Sequence, residues 1–116
     1  MKKAWEYGEQ QYLTANGRTY NVYAAIQLAK NLPVEDVDIR LIYRASGSPC
    51  DNSFTDFVKH VKSVIDADKS YPIIIADDGA IIDGRHRLAK AMIDGDKTIK
   101  AVIFESVPEG CYTLGD

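Results

Sequence analysis

Cysteine is scarce in this chain. Two stand among 116 residues, Cys50 and Cys111, far apart and without CxxC spacing or clustered histidines, so neither a zinc site nor a disulfide framework is expected. Long apolar runs are missing as well. No stretch approaches the roughly 20 residues of a membrane-spanning helix, and "MKKAWEYGEQ" has no apolar signal-peptide core behind its two lysines. A cytoplasmic protein without a membrane partner is the expectation. An excess of positive charge is also lacking: 14 Lys and Arg face 17 Asp and Glu, for a net charge of −3 and a pI near 5.3. That balance argues against a surface that clings to phosphate backbones throughout, and leaves room only for a local basic site. Internal repeats, low-complexity tracts and Pro/Gly-rich linkers are absent too, and the length suits one core, so residues 1–116 read as a single domain.

What is present is a mixture of strand and helix signals. In "QYLTANGRTYNVY", Asn16-Gly17 between β-prone stretches predicts a hairpin with strands near 10–15 and 18–22. A short helix follows in "VYAAIQLAKN", with Val22, Ile26 and Ala29 on one face and Asn31 and Pro33 as stops. In "VDIRLIY", Val37, Ile39, Leu41 and Tyr43 alternate with other residues and predict a half-buried strand. "RASGSPCDNS" reads as a surface loop. The helix "SFTDFVKHVKSVIDADKS" places Phe54, Phe57, Val58, Val61, Val64 and Ile65 on an apolar face, with Ser53 as N-cap and His60 on the polar face as an ordinary exposed histidine.

The second half predicts a strand from Ile73 to Ala76, a hairpin loop at Asp77-Asp78-Gly79, a returning strand from Ala80 to Ile82, and a helix buried through Leu88, Ala89, Met92 and Ile93 and stopped at Gly95. A last strand then runs from Ile99 to Phe104, and the tail is expected to be irregular. Strands and helices without regular βαβ alternation make an α+β domain: a small mixed sheet with flanking helices. Asp77 and Asp78 read as hairpin residues rather than metal ligands. Trp5, Tyr7, Tyr12, Tyr20 and Tyr23 read as strand packing more readily than as a base-stacking platform.

The chemistry concentrates in "IDGRHRLAK". Gly84-Arg85-His86-Arg87 sets cationic side chains at a helix start, where the macrodipole already presents positive charge. Two answers stay open. Asp83 serves as N-cap and partly neutralises the arginines, or the free N–H groups, the glycine and the arginines together hold an external phosphate.

The order "PIII…DDGAIIDGRHRLAKAMIDG…IKAVIF" resembles the ParB/sulfiredoxin superfamily, in which a Pro-led strand, a hairpin, a G-x-H-R or G-x-R-R turn, an apolar helix and a closing strand recur. The match covers roughly residues 53–104, with "VEDVDIRLIYR" a looser fit before it. The resemblance implies a nucleotide pocket, its phosphates held by Gly84, Arg85, His86 and Arg87 and its base bordered by Tyr71 and Pro72. Arg85 stands where sulfiredoxins carry their catalytic cysteine, so peroxiredoxin repair is not expected. The CTP-binding chromosome-partition proteins continue into a helix-turn-helix domain, for which the dozen residues after the last strand leave no room, and His86 replaces the first arginine of their pair. Free-serine kinases of the superfamily share the DG-x-HR turn and use an upstream carboxylate base, a position that Glu35 fills most nearly.

The implied activity is NTP hydrolysis or phosphotransfer on ATP, ADP or CTP, with Mg²⁺ if a triphosphate is cleaved. Arg87 and Arg85 would neutralise phosphate oxygens, His86 would donate a hydrogen bond or move a proton, and Asp83 would hold the turn. A DNA-binding or nuclease module using the same arginines, and a binding adaptor without turnover, are the competing readings.

Overall fold

A computed structural model describes residues 12–42 and 53–114, the side chains of residues 12–15 apart. The predicted loop at 44–52, Cys50, Tyr43, Trp5 and Tyr7 lie outside the described residues. Asn16 and Gly17 adopt φ of 55° and 78°, the pair of positive values that a tight two-residue hairpin turn requires, and they join β1 (Tyr12–Ala15) to β2 (Arg18–Asn21). Asn21 then caps α1 (Val22–Ala29), its side chain accepting from the Ala24 N–H at 3.1 Å. The buried face of α1 is Val22, Ala25 and Ala29, with Ile26 only half-buried.

The strand predicted over 37–43 is shorter and earlier. β3 spans Glu35–Asp38 and breaks into a 3-10 turn at Ile39–Leu41. Asp38 causes the break: its carboxylate accepts from the Arg40 backbone N–H at 2.9 Å and grips the Arg40 guanidinium at 2.8 Å. The turn spaces Ile39 and Ile42 so that both enter the core, while Leu41 is 80% exposed.

α2 spans Phe54–Ile65, with the Ser53 hydroxyl accepting from the Asp56 N–H at 3.0 Å as its cap. β4 (Ile73–Ile75) and β5 (Ile81–Asp83) form the second hairpin, closed by Ala76 N–H to Ala80 at 2.8 Å with Gly79 at φ 88°. α3 (Arg85–Ile93) and β6 (Thr98–Ile103) follow. The tail is more regular than predicted, because a 3-10 turn at Glu109–Cys111 leads into β7 (Tyr112–Leu114), which pairs with β2.

Among the described residues the strands make two sheets rather than one. β1-β2-β7 is antiparallel, and β3-β6-β4-β5 is mixed, with β4 and β6 parallel. The α+β class therefore holds. β4 explains the core: flanked by β5 and β6, it turns Ile74 to one face and Ile73 and Ile75 to the other. Ile74 joins Ile82, Val102, Tyr20 and the buried face of α1 in one cluster; Ile73 and Ile75 join Ile81, Ala101, Leu88 and Ala91 in another. A strand buried on both faces reads as a continuous apolar run, as "III" does.

A polar latch ties the two sheets together. Arg18 donates to Asp77 at 2.6 Å, the Tyr20 hydroxyl donates to Asp78 at 2.9 Å, and the Val107 N–H donates to Asp77 at 3.1 Å. Tyr20 is thus core packing with a polar tip; Asp78 also accepts from the Ala80 N–H at 3.0 Å within the hairpin, whereas Asp77 holds Arg18 and Val107. Free Cys111 is buried, which pushes its thiol pKa up. Among the described residues, no helix is long and apolar enough to cross a membrane.

Two helix faces differ from expectation. In α3 the buried residues are Leu88 and Ala91, whereas Ala89 is half-buried, Met92 is 45% exposed and Ile93 is 75% exposed. In α2 no residue is buried, and Phe54, Phe57, Val58, Val61 and Ile65 all face outward. Lys90 of α3 donates to the carbonyl of Ile65 at the end of α2 and to that of Ala67 just beyond it, at 2.8 and 2.9 Å.

Candidate functional site

The site begins where β5 ends. Gly84 takes φ 103°, a left-handed conformation that turns the chain abruptly from strand to helix, and it rather than Asp83 is the N-cap of α3. No side chain caps the helix, and its first turn holds no acidic residue. The N–H groups of a first turn have no acceptor within the helix, so this turn presents donors and partial positive charge together.

Asp83 has a different task from the capping that its position suggested. It is the last residue of β5, and its carboxylate accepts from the Arg87 Nη2 at 2.7 Å, one helical turn further on. A strand end cannot serve as cap once the following glycine takes the turn, so the carboxylate is free to meet a side chain instead. The Arg87 Nε is buried without a hydrogen-bond partner. A guanidinium offers five donors in a fixed fork, and one carboxylate contact leaves this one unanswered.

Two cavities are lined by this pair. One, of about 230 Å³, lies between α1 and the start of β4 and is mainly apolar, lined by Ile26, Ala29, Leu32, Val34, Tyr71, Pro72 and Ile74 among others. The other, of about 220 Å³, is polar and is lined by Ser63, Ala67, Asp68 and the Asp83–Arg87 turn. Asp83 and Arg87 belong to both walls. Either cavity alone falls short of the roughly 300–1,000 Å³ of a small-molecule site. Tyr71 is 62% exposed and Pro72 half-buried at the rim of the apolar cavity.

The fold brings together Tyr71, Pro72, Asp83, Gly84, Arg85, His86 and Arg87, but not Glu35. That carboxylate sits on β3, with β6 and β4 between it and β5, roughly 14 Å away at the usual strand spacing. It borders a cleft of about 620 Å³ with Leu28, Pro33, Phe104 and Glu105, which shares Leu32 with the apolar cavity.

His60 is the residue that sequence reasoning passed over. Its Nδ1 lies 2.9 Å from the His86 Nε2, and its own Nε2 lies 3.6 Å from the Asp56 carboxylate one helical turn earlier. The Asp56/His60 spacing of four residues was the available signal, though nothing local names His86 as the partner. Burial, then His60 and Arg87, push the His86 pKa below the ordinary histidine value, with Asp83 opposing. Asp68, on the cavity's far wall, is held below the usual carboxylate range by hydrogen bonds from the Ser70 hydroxyl and N–H.

These residues do not make a metal centre of their own. Asp83 is engaged by Arg87 and Asp68 by Ser70, and no group of three metal-ligating side chains occurs among the described residues. Comparison of the chain with known protein families, curated proteins and solved structures gives no match.

Proposed function

We propose that this protein binds a nucleotide along the two cavities that share Asp83 and Arg87, with the base against Tyr71 and Pro72 and the phosphates at the Gly84–Arg87 turn. The observation that carries the reading is the shared wall: Arg87 borders both the apolar and the polar cavity and keeps a buried Nε without a partner. A nucleotide has this division, an apolar stacking end and an anionic end joined by a few atoms. Arg85 is exposed at the mouth of the polar cavity and adds the second cation. The likeness of the strand, hairpin, turn and helix order to the ParB/sulfiredoxin superfamily supports the same assignment, as does the α+β class.

For hydrolysis or phosphotransfer the acting residue is His86, which lines the polar cavity and whose pKa is lowered by burial, a shift that favours the neutral ring with one nitrogen able to accept a proton. Arg85 and Arg87 neutralise phosphate oxygens, and Asp83 holds Arg87 in place. Glu35 takes no part in this proposal.

The test is thermal unfolding with ATP, ADP, CTP and tripolyphosphate, each with and without Mg²⁺. A nucleotide at 100 times its Kd stabilises by about 2.7 kcal/mol. Arg85→Ala, at an exposed position, lowers the response to all four ligands. Tyr71→Ala weakens nucleotides by about 5-fold or more and leaves tripolyphosphate unchanged. No stabilisation by any of the four at millimolar concentration defeats the proposal. Phosphate release from ATP separates turnover from binding alone, and a salt-dependent DNA mobility shift without a nucleotide response would favour the nucleic-acid reading.

A further inference from the structure

The cleft of about 620 Å³ that Glu35 borders opens where the β3/β6 ladder ends, and it falls within the roughly 300–1,000 Å³ of a small-molecule site. The ladder pairs Glu35 with Ala101. Continued by two residues, the register would set Pro33 opposite Ile103, but a proline has no N–H to donate, and the strand begins only at Glu35. There the two segments part. One wall leads from the end of α1 to β3, where the Asn31 and Leu32 N–H groups turn back to the Leu28 and Ala29 carbonyls at 3.1 and 3.0 Å. The other runs from Ile103 to Pro108 and is anchored by the Phe104 N–H, which donates to the Ile75 carbonyl at 2.9 Å.

The lining combines two chemistries. Leu28 and Ile103 are apolar and keep 38% and 39% of their surface exposed. Glu35 and Glu105 add two carboxylates, and the lining includes no Lys, Arg or His. Among the described residues neither carboxylate has an ion-pair or side-chain hydrogen-bond partner. Lys30, which precedes the first wall in sequence, is turned to the Gln27 Oε1 at 3.2 Å.

We propose that this cleft binds a small organic cation, an amine or guanidine carried on an apolar body. The body covers Leu28 and Ile103 and removes their remaining surface from water. The cationic head donates charge-assisted hydrogen bonds to Glu35 and Glu105, and the Asn31 and Ser106 side chains offer further acceptor oxygens. Two carboxylates without a countercharge also repel anions, so a nucleotide phosphate is not the ligand here. Nucleotide binding is not required for this site: the cleft shares Leu32 with the apolar cavity but no residue of the Gly84–Arg87 turn.

Methyl NMR of the full chain tests this, with titrations of 2-phenylethylamine, its neutral counterpart 2-phenylethanol and the anion phenylacetate. The amine shifts the Leu28 and Ile103 methyl signals at millimolar concentration, the alcohol binds about 5-fold more weakly, and phenylacetate does not bind. Added salt weakens the amine and leaves the alcohol unchanged. Glu35→Gln and Glu105→Gln, both at exposed positions, keep the fold; each weakens the amine, and together they bring it to the level of the alcohol. Equal affinity for amine and alcohol, an amine affinity that the double variant retains, or no shift at Leu28 and Ile103 with millimolar amine overturns the proposal. Binding of a lysine-containing tetrapeptide without any response to the amine also overturns it, and assigns the cleft to a basic segment of another protein.

Discussion

Gly84 stands so close to Ile73 that a β-carbon on it would lie 2.6 Å from the Ile73 Cγ2 and 2.9 Å from its Cβ. Ile73 is fully buried on the central strand and has nowhere to retreat, and the same β-carbon would come within 3.0 Å of the Arg87 Nη2. The glycine thus meets two demands, a left-handed φ of 103° and contact with the sheet that fixes the helix start.

Gly84→Ala is expected to cost about 2–4 kcal/mol, combining backbone strain with overpacking against Ile73. Urea unfolding measures it. Gly95, also at positive φ but with open space around the same position, provides the comparison: Gly95→Ala carries only the backbone strain and costs less. Equal losses at the two positions would show that the contact with Ile73 contributes nothing.

Stability should fall on acidification in a first step that belongs to histidine. The folded-state pKa of His86 is depressed, so the unfolded chain takes up its proton first, near the ordinary value of about 6.5, and stability is lost from there down to the lowered folded value. A second loss begins below about pH 4 and reflects carboxylates held low in the fold, Asp38 at about 2 beside Arg40 among them. Urea midpoints between pH 7.5 and 3 resolve the two windows. His86→Gln should flatten the first and leave the second; a first step that persists in this variant assigns it elsewhere.

The α2 face gives a sharp contrast with the core. Because Phe57 and Val61 face outward, Phe57→Asp and Val61→Asp should change stability by no more than about 0.5 kcal/mol. Leu88→Ala, at a buried position of α3, should cost about 2–5 kcal/mol. Chemical denaturation of the three variants checks both statements, and a large loss at Phe57 would mean that this face is covered in solution.

Local signals survived folding where the physics is local. Asn16-Gly17, the Ser53 cap and the Asp77-Asp78-Gly79 loop all behave as read, because turn and cap preferences depend on a few neighbouring backbone angles. The strand over 37–43 failed for a local reason that alternation hides: Asp38 prefers its own hydrogen bonds to Arg40 over a continued ladder. The helix stripes failed for a distant reason. Periodicity in α2 and α3 marks an apolar face but not what lies opposite it, and the sheet reaches Leu88 and Ala91 while leaving Ile93 and the Phe57 face outside.

The candidate site divides in the same way. Sequence alone determined that a glycine and two arginines open a helix with no acidic residue in its first turn, since residue order and the macrodipole suffice for that. Only the tertiary structure decided that Asp83 meets Arg87 rather than capping the helix, that Glu35 belongs to another cleft, and that His60 meets His86. Each depends on contacts between segments: two histidines 26 positions apart come within 2.9 Å of each other where α2 meets α3, which no local preference encodes.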